Sequence, residues 1–167
     1  MRIAILATAL ALTACGDTGE PAGEPAATGQ AAAVERAPTL EELGEADLAD
    51  TALEGELACA FRRTEGAAPI FLGRGNVLED AGAEAAVKYG GSVRRLAMEG
   101  TGGYDAMADG ARFSGEGLTL TIARTGDAPI AEEPQVAMES PVYPATLTVT
   151  VPGETGQVIE GLFECGP

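Results

Sequence analysis

The chain has 167 residues, room for one ordinary domain and some extra. Its 26 acidic residues outweigh 10 basic ones, it has no histidine or tryptophan, and its formal net charge is −16. That balance repels nucleic-acid backbones and anionic lipid surfaces. The missing histidine also removes the commonest general base, the Ser-His and Cys-His nucleophile pairs and most zinc sites.

Met1-Arg2 gives a short positive start, and Ile3 to Leu12 is apolar except for Thr8. Such a run suits a signal-peptide core and is too short to span a bilayer as a helix. It ends in Leu12-Thr13-Ala14-Cys15, which resembles the lipobox of bacterial lipoproteins: an aliphatic residue, two small ones and a cysteine. The resemblance implies that residues 1–14 are a signal peptide removed before Cys15. The Cys15 thiol then carries a diacylglycerol, and the new amino group takes a further acyl chain such as palmitate. Each buried methylene adds roughly 0.8 kcal/mol, so two or three chains make a durable membrane anchor. Gly16, not Asp, follows the cysteine, which for such lipoproteins points to the outer membrane and a periplasm-facing domain. The alternative is a secreted protein cut after Ala14, with Cys15 left as a free thiol.

Residues 16 to 38 are mostly Gly, Pro, Ala, Thr and Glu, with Val34 the one large apolar residue. Nothing there can bury enough surface to offset the ordering entropy, so 15–38 is expected to be an acylated cysteine and a disordered tether. Its span is about 25 Å. Residues 39–54 follow as an acidic linker. Thr39-Leu40-Glu41-Glu42 reads as a capping box and predicts a short helix from Leu40 to Ala49 with a thin apolar face. Residues 16 to 54 hold ten acids and one base, a net charge of −9, and read as a solvated spacer.

Residues 55–167 form the predicted β domain. Leu57, Cys59 and Phe61 alternate with polar or small residues, as do Leu118, Leu120 and Ile122, Leu147, Val149 and Val151, and Ile159, Gly161, Phe163 and Cys165. Less regular strands fit 69–73, 75–79, 84–89, 92–99 and 110–114. Gly90-Gly91, Gly102-Gly103, Asp109-Gly110, Gly115-Glu116-Gly117 and Pro152-Gly153 read as turns. The fold class is all-β, a small antiparallel barrel or sandwich of about eight strands. Cys59 and Cys165 lie on apolar faces of the first and last strands. With Cys15 acylated they are the remaining pair in an oxidising compartment, which predicts a disulfide between neighbouring or facing strands.

Few residues carry chemistry. Ser114 lacks the leading glycine of a nucleophile elbow, and Gly100-Thr101-Gly102-Gly103 lacks the rest of a dinucleotide fingerprint. Asp105, Asp109 and Glu116 occupy positions 1, 5 and 12 of a calcium-loop pattern, with Gly110 at position 6. Met107 at position 3 and Arg112 at position 8 oppose it, and an Asp-Gly hairpin is the preferred account. No cofactor is expected. The segment 125–144 has four prolines and four acids, reads as a long loop, and offers Met138 and Tyr143 as exposed binding candidates. Gln135 to Met138 is a candidate edge strand.

Gly110-Ala111-Arg112-Phe113, a compact β domain with a cysteine near each end, and the lipobox together resemble the membrane-bound inhibitors of c-type lysozyme. Those are small lipoprotein barrels with a comparable Gly-Ala-Arg-Tyr stretch, and the resemblance implies a role for Arg112 in binding. After Phe113 this chain continues Ser114-Gly115-Glu116-Gly117, where the family has a tryptophan-containing strand and Lys-Gly. The expectation is a non-enzymatic, lipid-anchored domain acting by binding or envelope structure, with a basic periplasmic protein as partner. Lysozyme inhibition is the first alternative and a carboxylate-based hydrolase the second.

Overall fold

A computed structural model describes residues 37–77, 80, 82–130 and 140–167. Cys15, the tether to residue 36, Met138 and the candidate edge strand 135–138 lie outside the described residues. The elements in order are β1 (Leu40–Glu41), α1 (Glu45–Asp50), β2 (Leu57–Arg62), β3 (Phe71–Gly75), β4 (Glu84–Tyr89), β5 (Ser92–Met98), α2 (Gly103–Ala108), β6 (Arg112–Gly115), β7 (Leu118–Arg124), β8 (Val142–Thr150) and β9 (Gln157–Gly166).

Strands β2 to β9 form a closed antiparallel barrel in which each pairs with the next in sequence and β9 pairs back onto β2. Closure settles the choice between barrel and sandwich. Cys59 and Cys165 are direct cross-strand partners at that seam. They form a disulfide with Cα atoms 4.1 Å apart and a sequence separation of 106. The period-two pattern holds around the wall: Phe61, Phe71, Phe113 and Phe163 point inward and are fully buried.

The segment before the barrel departs from expectation. Leu40 and Glu41 pair with Tyr89 and Lys88 as β1 instead of opening a helix. Pairing wins because it buries Leu40, 2 % exposed, in the core cluster. Thr39 Oγ1 donates to the Ala37 carbonyl and is no helix cap. The helix starts at Glu45 and is capped by Asp47, whose carboxylate accepts from the Gly44 N–H at 2.9 Å. It crosses the outer face of β4: Asp47 pairs with Lys88 at 3.0 Å, and Glu84 accepts from the Glu54 N–H. Ala86, on that outer face between Lys88 and Glu84, is fully buried under the crossing, and Leu43 and Leu53 are buried too. Residues 40–55 are therefore a strap on the barrel, tied to it through β1 and the Asp47–Lys88 pair.

Other boundaries shift as well. β3 occupies 71–75, and within the expected strand 75–79 the described residues Asn76 and Val77 are not strand: Asn76 instead accepts from the Glu56 and Tyr104 N–H groups. β8 begins at Val142, so Tyr143 and Pro144 are strand residues, not loop.

Two predictions follow from this packing. Replacing Cys59 and Cys165 together by serine should lower stability by about 4 to 5 kcal/mol, the chain-entropy value for a crosslink of this span. Urea melts of oxidised, reduced and double-serine protein read the difference, and coincident midpoints would contradict it. The second concerns Asp47, whose carboxyl is held below its ordinary value of 3.8 by the Gly44 N–H and then by Lys88. A depressed carboxylate stabilises the fold above the ordinary value and loses that contribution as pH falls through the folded one. Asp47→Asn should thus be less stable than wild type near pH 7, with the gap closing as pH falls below 3.8, the ordinary value.

Candidate functional site

An eight-stranded barrel is just wide enough for its own side chains to fill. Here they do: the four phenylalanines, with Leu120 and Leu147, occupy the interior, and the Phe71 and Phe113 rings meet edge-on at 5.1 Å. Among the described residues no polar or charged residue is buried. Among the described residues the barrel interior is thus lined by apolar side chains alone.

One end is stoppered by α2, which lies where a turn was expected from Gly102-Gly103. Met107 is fully buried against Gly73. Gly75 permits the seat, since a Cβ there would stand 2.8 Å from the Tyr104 nitrogen. Asp109-Gly110 is the end of this helix and not a hairpin: their N–H groups donate to the Asp105 and Met107 carbonyls. Gly110 takes φ +101, and a Cβ on it would lie 2.8 Å from the Ile122 carbonyl oxygen. Burial pushes the Tyr104 hydroxyl pKa up, and the neighbouring Asp105 adds to it.

Beside α2 the structure brings two of the expected regions together through a residue the sequence did not single out. The Arg124 guanidinium stands 4.4 Å over the Tyr143 ring and bonds the Asp109 carboxylate at 3.2 Å. Arg124 and Tyr143 continue the inward rows of β7 and β8, so Tyr143 is half-buried and covers the mouth; it is not an exposed loop contact. The available signal for Arg124 was its place two residues beyond Ile122 in an alternating strand. Arg112 is exposed on the outer wall and pairs with Glu99 at 3.2 Å. The calcium candidates are not assembled. Asp109 belongs to Arg124, Glu116 lies past the far end of β6 near Arg94, and among the described residues no three acids, cysteines or histidines form a metal-binding group.

At the opposite end Tyr89 donates to Glu154 at 3.0 Å, which raises the tyrosine pKa. A groove of about 570 Å³ lies on the outer wall over β2, β9 and β8. Ala67, Ala68, Pro69, Val142 and Leu162 line it, and the Arg62–Glu164 ion pair forms its polar floor. No family model matches the chain, and no curated protein or solved structure matches it.

The stopper has a measurable weight. Met107→Ala should cost about 2 to 5 kcal/mol through the cavity it leaves. Arg124→Ala, at a half-exposed rim, should cost about 1 kcal/mol. Urea midpoints rank the two, and equal losses would contradict the assignment of Met107 as the plug.

Proposed function

We propose that the chain is a lipid-anchored, periplasm-facing binding module that recognises a basic protein through its outer surface. The filled, apolar barrel interior carries this reading, because it leaves the exterior as the surface for recognition. The lipobox sequence ending in Cys15 supports the anchor, and Gly16 after it supports the outer membrane. The net charge of −16 favours a cationic partner, with an association rate that falls as salt rises.

Inhibition of c-type lysozyme is a second reading, favoured by one observation. Gly110 to Phe113 leads from α2 into β6 with Phe113 locking the strand into the core and Arg112 on the exposed wall. A basic enzyme can reach that position directly.

Cys15→Ala should leave the protein in the aqueous phase of a detergent partition, or unprocessed. A cleaved variant that still enters the detergent phase would overturn the anchor. Titrating c-type lysozyme into the full-length protein tests recognition: lost lytic activity supports inhibition, and binding without inhibition supports the broader module. Absence of binding to lysozyme and to other basic proteins would overturn it.

A further inference from the structure

β9 outruns the strand it closes against. Its ladder with β2 covers Leu162–Gly166 and stops opposite Arg62, where the chain departs into the 63–70 connection. Its ladder with β8 continues to Gln157. In an antiparallel strand the N–H and C=O of one residue point to the same side, and alternate residues point alike. The Cys165 N–H donates to the Pro141 carbonyl on the β8 side, and the register with β8 is unbroken. Odd-numbered residues of β9 therefore aim their backbone groups at β8 and even-numbered ones away from it. Val158 and Glu160 direct an N–H and a C=O each into the place that β2 has left, and among the described residues neither has a ladder partner there.

The side chains around this edge share one character. The outer row of β9 runs Val158, Glu160, Leu162, Glu164, apolar and acidic in turn. Val158 is 62 % exposed, the largest value among the exposed large hydrophobic residues described. Leu162 and Glu164 continue the row into the groove walled by Ala67, Ala68 and Pro69. Acids outnumber bases in that lining: Glu65 and Glu164 stand with Arg62, which Glu164 already holds, and Glu160 is exposed beside them in the outer row of β9.

We propose that this edge docks an extended, basic segment of a partner protein by strand addition, its end reaching into the Leu162 groove. The proposal rests on the binding-module reading and gives it a place and a mode. Backbone pairing with Val158 and Glu160 supplies the attachment, and alternate side chains supply the choice of sequence. A lysine or arginine beside Glu160 gains a cross-strand ion pair, while an apolar neighbour covers Val158. A second copy of this chain is the poorer occupant, because its own edge would set Glu160 near Glu160.

The test uses the full-length protein and a short labelled peptide of alternating lysine and valine. Three control peptides accompany it: one with glutamate for lysine, and two with backbone N-methyl groups on one or the other set of alternate residues. The lysine peptide should bind, the glutamate peptide should not, and only one of the two N-methylated forms should lose binding. Val158→Pro deletes the edge-facing N–H without touching the β8 ladder, and should weaken the lysine peptide by about tenfold or more. Glu160→Lys, an exposed change that leaves the fold alone, should transfer preference to the glutamate peptide. Unchanged affinity in a folded Val158→Pro protein overturns the proposal. If that variant does not fold, an unchanged preference in Glu160→Lys overturns it. Wild type that ignores the lysine peptide also overturns it. Lysozyme binding that survives both substitutions would leave the module reading standing with its surface elsewhere, whereas no binding of any basic protein by wild type defeats that broader reading itself.

Discussion

Everything in this domain hangs on the pairing of β2 with β9. Seven hairpin or loop connections can bring sequence neighbours together locally, but a sheet of eight strands becomes a barrel only when its first and last members meet. Those two strands are the most distant partners in the domain, with the largest loop entropy to overcome. The register places Cys59 against Cys165 and Phe61 against Phe163. A covalent bond and two facing, fully buried phenylalanines thus sit side by side on the inner face of the one contact that local structure cannot supply.

Once closed, the barrel has little freedom left inside. Four phenylalanines from four strands fill the cross-section, and each end has its own cover: Met107 and the Arg124–Tyr143 stack at one, Tyr89 with Glu154 at the other. A lumen lined by apolar side chains leaves the polar chemistry of the described residues on the exterior. The exterior is unevenly furnished, because most basic groups among the described residues are already matched in ion pairs such as Lys88–Asp47, Arg95–Glu84 and Arg112–Glu99. Excess acid is left to dominate the field at a distance, and the ladder at the start of β9 is left incomplete on the β2 side.

Much of this was legible in the residues. Alternation exposed the inner rows of β2, β7, β8 and β9, and the count of cysteines exposed the seam. What escaped notice had physical reasons. β8 begins among prolines, yet Pro144 fits because its missing N–H would point past the end of β7, where only the Thr125 N–H reaches its carbonyl. α2 is six residues long, and its glycine start reads as a turn until the burial of Met107 gives the helix a purpose. Thr39 to Glu42 carried a genuine helix-start pattern, but burying Leu40 beside Tyr89 was worth more than one capped turn. Arg124 was overlooked because an arginine ending an apolar row looks like a strand terminus rather than a lid.

The strap has a mechanical meaning. The chain joins the barrel at the Tyr89 end, through two residues of β1, the Leu43 N–H on the Pro69 carbonyl and the Arg63 guanidinium on the Leu40 carbonyl. It then travels along the outside to Gly55 before β2 begins. Tension arriving from the N-terminal side loads these few bonds first, then the Asp47–Lys88 pair, and only afterwards the seam. Peeling residues 40 to 55 releases roughly 50 Å of slack, at about 3.3–3.6 Å per residue. A pull from the N-terminal side therefore meets the bonds of the strap before those of the barrel.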